Sequence, residues 1–469
     1  MPEPEYDLVV IGAGVVGSAL AREFTLRGRS VALVDTRSDV GDVTSKANTA
    51  ILHTGFDATP GTTESRLVAR GYRLLSDYAA KAGIPVEPLG ALLVAWDEEQ
   101  LAALPRLAEK AAANGYHETR LLDSAELARR EPHLGPGALA ALEVPGESII
   151  CPWTTTLAFA TEAVRHGAEL LLGHTVTGAE PGADHTVLHT DRGPVRARYV
   201  VNAAGLGSDH VHAMFGHESF TITPRRGQLI VFDKLARSLV NHILLPVPTK
   251  MGKGVLVSPT VYGNVMLGPT AEDLTDRSAT GSTEDGLAML REKGNRIVPA
   301  LLSEEVTTIY AGLRAATEFG DYQISFHPDQ RYVCVGGIRS TGLTSSLAIA
   351  EHVGAELAGW PGEVMPGPRA DVVPPQMPYL GQVDVRPAED AELIAKDPAY
   401  GEIVCFCERV SRGEIRDALH SEIAPSTVEG LRRRTRAGMG RCQGFYCGAA
   451  VSRMVDEGAD APVKAEAAK

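Results

Sequence analysis

Four of the six cysteines in this 469-residue chain stand in two close pairs near its end: Cys405 and Cys407 in "CFC", Cys442 and Cys447 in "GRCQGFYCG". Four thiolates at such spacing can ligate an iron–sulfur cluster or zinc. Structural zinc usually takes C-x₂₋₄-C knuckles in both halves, so C-x-C with C-x₄-C leans toward iron and sulfide without closing the zinc alternative. Unliganded thiols fit poorly in a short segment with little core of its own. Few cysteines, unevenly placed, fit a reducing compartment rather than a disulfide scaffold.

A second chemistry opens the chain. "YDLVVIGAGVVGSALAREFTLRGRSVALVD" reads as strand, glycine turn, helix, strand. Gly12, Gly14 and Gly17 would let the backbone approach a pyrophosphate at the positive end of a helix, and Asp35 closes the second strand where a carboxylate can accept from ribose hydroxyls. A bare turn without a ligand is the alternative. Two later segments extend the pattern. "YVVNAAGLGSDHV" (199–211) runs from an apolar strand into a small-residue turn at Ala204 and Gly205, and resembles the second flavin-contacting segment of FAD enzymes. "RYVCVGGIRSTGLTSSLAIAEHV" (331–353) passes from a strand through Gly337 to a helix entered at Gly342, Leu343 and Thr344. It is similar to the C-terminal FAD motif, whose helix dipole favours the charge gained by reduced flavin. Three such segments fit FAD better than NAD.

The elements that must position these groups follow from periodicity. "TTESRLVARGYRLLSDYAAKAG" (62–83) has helical spacing ended by Gly83, "LGALLVAW" (89–96) reads as a strand, and "DEEQLAALPRLAEKAAANG" is helical with a proline interruption. Strands dominate 216–326, with a hairpin expected at Tyr262–Gly263–Asn264. The expected fold is α/β: a Rossmann-like FAD-binding domain from residues 1–84, 145–215 and 327–360; an inserted mixed β-sheet substrate domain from 85–144 and 216–326; a Pro-rich, semi-rigid linker at 361–396; a small helical C-terminal 2Fe–2S domain at 397–458; and a frayed tail at 459–469.

A net charge of −14 argues against nucleic acid or an anionic bilayer as partner, but not against a small anionic substrate met by a few local cations. No apolar run is long enough to span a membrane, and no basic leader precedes the strand at Tyr6. The expected location is cytoplasmic, either free or held beside a membrane by partner subunits.

"IVCFCERVSRGEIRDAL…RCQGFYCGAAV" is similar to the bacterioferritin-associated-ferredoxin-like domain, which implies a 2Fe–2S cluster on Cys405, Cys407, Cys442 and Cys447. Arg441 and the arginines at 432–434 and 436 would then offset cluster charge, or form a solvated helix face. Residues 5–360 resemble the D-amino-acid-oxidase/glycerol-3-phosphate-dehydrogenase superfamily. With the cysteine domain added, the chain looks like the FAD subunit of anaerobic-type glycerol-3-phosphate dehydrogenases, with L-2-hydroxyglutarate dehydrogenases close by. The resemblance rests on "SKANTAILHTGF" (45–56), "PTKMGKGVLVSPTVYGNVMLGPTAED" (248–273) and "AGLRA" (311–315). It implies oxidation of sn-glycerol 3-phosphate, with electrons leaving through the cluster to an acceptor protein or partner subunits. The alternatives are a 2-hydroxy acid or amine as substrate, or a non-catalytic electron-relay subunit.

Oxidising a secondary alcohol needs a base for the hydroxyl proton and cations for the anionic group. His53 is the candidate base or alkoxide stabiliser and Arg314 the fork for phosphate or carboxylate. Lys250 and Lys253 flank "MGKG" as an anion loop. Arg225 and Arg226 point to opposite strand faces, so one of them at most reaches the site, and Arg225 is the candidate. Ser45 and Asn48 are expected FAD contacts. Arg339 stands where relatives carry a different turn, and is expected beside the flavin or on a second substrate charge.

Overall fold

The computed structural model describes residues 5–248, 254–361, 365–369 and 371–458. The expected anion loop at Lys250 and Lys253 and the frayed tail lie outside the described residues. The first sheet has eight strands. Glu5–Ile11 sits at its centre, parallel to Gly193–Asn202 on one side and Val31–Asp35 on the other, with Tyr332–Gly336 parallel to Gly193–Asn202. These strands are apolar on both faces because both are covered, as parallel sheets require. The helices Val15–Leu26, Pro152–Arg165 and Gly342–Ala358 pack together over one face. Thr63–Ala82 lies along the last of these. Thr62 caps it, accepting from Ser65 N at 3.1 Å, and Gly83 ends it with a φ of 71°.

The second sheet has nine strands and is built from Ala91–Ala95, Arg120–Asp123, Ala140–Val144 and the strands between Thr223 and Ala316. Its longest pairing is antiparallel, Thr223–Phe232 with Val306–Ala316. Leu256–Pro259 and Val265–Gly268 form the hairpin around Tyr262–Gly263–Asn264. Two differences from expectation stand out. Gln323–His327 pairs with Tyr332–Gly336, so it belongs to the first sheet rather than the inserted one. Glu98–Ala113 runs unbroken through Pro105, which is exposed and forfeits one bond inside a helix capped by Asp97.

The Pro-rich segment after Ala358 is held as a strap. Met377 N donates to Ala82 O, Gln382 N to Val261 O, and Leu380 is buried. The C-terminal unit packs Arg412–Leu419, Val428–Thr435 and Gly448–Glu457 around Val404, Ile415, Leu431 and Met454. It docks through charge: Arg434 and Arg433 reach Asp39 of the first domain at 2.7 and 2.6 Å, all three side chains buried. Burial pushes the Asp39 carboxyl up, but the two guanidinium groups outweigh it and hold it below its ordinary value. These arginines therefore clamp two domains and are not a solvated face. Removing Asp39 would strand the buried charge of Arg434 at a cost of about 3–5 kcal/mol.

Three imidazoles, His212, His217 and His327, bring ligating nitrogens within 4.8 Å of one another. His217 and His327 stack at 3.8 Å between centroids, which sets their in-plane lone pairs side by side instead of toward one point. Tyr332, Ser219, Gln330 and Ser325 already engage the ring nitrogens, making this a polar knot in the core. Burial, then the neighbouring His217 and His327, push the His212 pKa from 6.5 down to about 4. The unfolded chain thus binds the proton more readily, so this contribution is intact above about pH 6.5 and is lost as pH falls toward 4. Its loss over that window is on the order of 3 kcal/mol. Thermal melts from pH 7 to 5 should show a steeper fall in Tm for the natural chain than for His212→Gln; parallel slopes would refute it.

Candidate functional site

The glycine turn is built for close approach. A Cβ on Gly12, whose φ is 105°, would stand 2.5 Å from Ala203 O, and one on Gly17 only 1.7 Å from Gly12 O. The first and second nucleotide segments thus touch, which brings Ala204 and Gly205 beside the turn. Asp35 accepts from Ala13 N at 2.6 Å and Arg37 N at 2.7 Å, holding its carboxylate beside the turn. Ser45 Oγ accepts from Val15 N at 2.9 Å and ties residues 44–50 to the helix N-terminus. Asn48 is spent locally: its amide donates to Ser45 O and accepts from Ala50 N, shaping the segment. Thr344, fully buried, accepts from His53 N at 3.0 Å, so the helix opened by Gly342 and Leu343 abuts the end of the same segment. Gly337 takes a φ of 65° at the turn leading there. A Cβ-free cradle at a helix start, a carboxylate at the strand end and a second helix N-terminus together fit a dinucleotide carrying a flavin.

His53 is oriented by a residue that sequence reading misses. Its Nδ1 lies 2.9 Å from Glu147 Oε2, and Glu147 is wholly buried. Glu147 Oε1 accepts from Thr54 N at 2.6 Å and from Thr54 Oγ1 at 2.9 Å. A carboxylate already accepting two hydrogen bonds is an acceptor for a third, so Nδ1 carries the proton and Nε2 is the basic nitrogen. Glu147 lies in "EVPGESII", 94 residues away, where nothing sets it apart from Glu143 as the partner of a histidine.

Arg314 lies on the strand Val306–Ala316, where alternate residues share a face. On that face Tyr310 OH donates to Asn48 O at 2.9 Å, and a Cβ on Gly312 would meet Ala47 O at 2.2 Å. Arg314 therefore faces the flavin-side segment. Burial, then the charge of Arg225, lowers its pKa. Among the described residues nothing accepts from its guanidinium. The other candidate cations differ. Arg225 stands opposite Arg314 in the ladder but is held by Asp273 at 2.5 and 2.9 Å. Arg226, on the other face, is held by Glu272. Arg339 donates to Gly320 O at 2.6 Å and lies 3.6 Å from Glu64, which pins it to a neighbouring loop and the first turn of Thr63–Ala82. Arg225 and Arg339 thus already have structural partners.

The four cysteines converge as two thiol pairs, Cys405 with Cys447 and Cys407 with Cys442. Gly438 N donates to Cys405 Sγ at 3.3 Å, and backbone amides of Tyr446, Gly444 and Phe445 face Cys442 and lower its pKa. A Cβ on Gly440 would sit 2.4 Å from Cys407 Cβ. Amides aimed at sulfur and glycines that admit close packing suit thiolates shared with a metal cluster.

Residues 7–356 match the family described as DAO, FAD dependent oxidoreductase. The chain belongs to that family. Residues 403–457 match the BFD-like [2Fe-2S] binding domain, so this FAD dependent oxidoreductase carries FAD and a 2Fe–2S cluster. The chain is 36% identical over 443 residues to a glycerol 3-phosphate dehydrogenase of Caloramator mitchellensis, covering 94% of this chain and 92% of the relative. It is 25% identical to a subunit of the anaerobic glycerol-3-phosphate dehydrogenase of Escherichia coli (strain K12), covering 94% and 86%. The FAD-bound, dithionite-reduced L-alpha-glycerophosphate oxidase of Mycoplasma pneumoniae superposes with a TM-score of 0.75 at 28% identity, covering 80% of this chain and all of that one. The mixed α/β architecture is similar to that of the oxidase, and the helical C-terminal unit coincides with the match to the [2Fe-2S] binding domain. No helix among the described residues is long and apolar enough to cross a membrane.

Proposed function

We propose that this oxidoreductase oxidises the secondary alcohol of sn-glycerol 3-phosphate to the ketone and delivers the electrons, through its cluster, to a protein acceptor or partner subunit. The observation that carries the substrate class is Arg314: a half-buried guanidinium without an acceptor among the described residues, turned toward residues 44–50. A desolvated cation is costly until an anion satisfies it, and a phosphate presents oxygens that match its fork. The relatives named for glycerol 3-phosphate direct the choice among anionic alcohols.

Bound FAD supplies a two-electron acceptor for the C–H hydrogen, and the cluster supplies a one-electron outlet. The chain does the rest. His53 Nε2 takes the hydroxyl proton while Glu147 holds the ring and stabilises the imidazolium. Arg314 holds the phosphate, fixing the carbinol carbon relative to His53.

Anaerobic mixing with sn-glycerol 3-phosphate should bleach the 450 nm flavin band within seconds, whereas L-2-hydroxyglutarate and simple amines should leave it for minutes (rates on the order of ordinary turnover). Faster bleaching by the hydroxy acid would replace the substrate. No bleaching by any anionic alcohol would make the chain a relay subunit.

A further inference from the structure

We propose that Trp153, Tyr262 and Arg436 form a fixed link that holds the cluster domain in register with the flavin-side segment, and that transfer between the two cofactors depends on it. The inference rests on the reading above that the two cofactors work in series. Each end of the link touches a cofactor segment. Trp153 Nε1 donates to Lys46 O at 3.0 Å, inside residues 44–50. The Trp153 ring stacks on Tyr262 with centroids 4.9 Å apart and planes 15° from parallel. Arg436 lies over the other part of this stack, its guanidinium carbon 4.1 Å from the Tyr262 centroid. Arg436 Nε then donates to Glu408 Oε2 at 2.9 Å, and Glu408 directly follows the cluster ligand Cys407.

Every joint in this chain of contacts is locked. Tyr262 and Arg436 are buried, and Tyr262 OH lies 3.0 Å from Cys151 Sγ. Arg436 ends its helix with a φ of 68°, a conformation that a non-glycine residue keeps only where its surroundings impose it. Lys234 also reaches Glu408 at 3.0 Å, and Gln382 of the strap donates to Tyr262 O at 2.6 Å. Three parts of the chain that are distant in sequence therefore meet on one tyrosine. A cation over a desolvated aromatic face is attracted by the ring quadrupole, which gives the contact direction as well as strength. None of these residues is needed to bind substrate or to take its proton. What they share is position, between the segment that flanks the flavin and the loop that carries Cys405 and Cys407.

The electron balance is simple. The alcohol loses one proton to His53 and a hydride equivalent to bound FAD, whose proton would return to solvent as the two electrons leave, so two equivalents of a one-electron acceptor would be reduced per ketone formed.

The test uses the full chain loaded with both cofactors, as the natural sequence, Tyr262→Leu, Arg436→Gln and Tyr262→Phe. Glycerol 3-phosphate is mixed anaerobically, flavin bleaching is followed at 450 nm, and cluster reduction is followed by paramagnetic resonance of rapidly frozen samples. Trypsin cleavage in the strap, at Arg369 or Lys396, is measured alongside on unreduced protein. Tyr262→Leu and Arg436→Gln should bleach at the natural rate, reduce the cluster about tenfold or more slowly, and be cleaved faster, since small misplacements of reacting groups cost large factors in rate. Tyr262→Phe keeps the ring and should match the natural chain. Natural rates of cluster reduction and cleavage in both variants would overturn the link, and so would bleaching slowed in proportion to cluster reduction. If Tyr262→Leu does not fold, Arg436→Gln decides. If glycerol 3-phosphate fails to bleach the natural chain, the substrate reading falls alone: illumination with a sacrificial amine donor then reduces the flavin, and the same comparison is made.

Discussion

His53→Ala should lower kcat for glycerol 3-phosphate oxidation by about 10²- to 10⁴-fold, the range for loss of a positioned general base. KM should change little, because the imidazole works on a proton rather than on the phosphate. Glu147→Gln is the sharper experiment. Its amide keeps the size of the side chain but offers Nδ1 a donor as readily as an acceptor. The tautomer with basic Nε2 is then no longer enforced, and the imidazolium formed during turnover loses its counter-charge. A fall in kcat of about 10- to 100-fold is expected, the range seen when partners that orient a functional histidine are removed. The acid limb of the kcat profile should move to lower pH in this variant, because an imidazolium without its carboxylate gives up its proton more readily. A merely structural Glu147 would lower Tm and leave the pH profile of kcat unmoved. Rates near natural in His53→Ala would remove the base assignment and leave the fold untouched.

What the sequence reveals about this site follows the range over which its signals act. Gly12, Gly17 and Asp35 are legible because backbone approach to a pyrophosphate imposes residue types at fixed local spacing, and the contacts of Gly12 and Gly17 are those such a turn demands. Cys405, Cys407, Cys442 and Cys447 are legible because ligands are chemically scarce. Arg314 is legible only through "AGLRA", and its meaning comes from its three-dimensional setting: Arg225, Arg226 and Arg339 carry the same charge, yet each is held by a neighbour. Glu147 is illegible, since a long-range hydrogen bond leaves no periodicity. The cluster-domain arginines mislead for the same reason. "LRRRTR" suggests a charged surface until Asp39, nearly 400 residues away, is seen beneath Arg433 and Arg434. The second sheet is readable as a strand-rich region, but assigning Gln323–His327 to it fails because an antiparallel partner can come from either domain.

Arg314→Met should separate function from stability in opposite directions. The guanidinium is half-buried, lowered in pKa by burial and by Arg225, and has no acceptor among the described residues. Replacing it with an apolar side chain of similar length removes a desolvation cost and breaks no bond among those residues, so the free protein should melt at the same temperature or slightly higher. A gain of roughly 1 kcal/mol would move Tm by about 1 °C in a protein of this size. The substrate loses two charge-assisted hydrogen bonds at once, worth about 1.5–3 kcal/mol each before any solvent replaces them. At 1.4 kcal/mol per tenfold, kcat/KM should fall by about 10²- to 10³-fold. Most of that fall belongs in KM, with kcat lowered further if the phosphate also aligns the carbinol carbon. Arg314→Lys keeps the charge without the fork and should lie between the two. Steady-state kinetics and melting curves on the same preparations check both halves. A large loss of stability with unchanged KM would mean that the guanidinium serves the strand and not the substrate, and the anion site would have to be sought elsewhere on the face against residues 44–50.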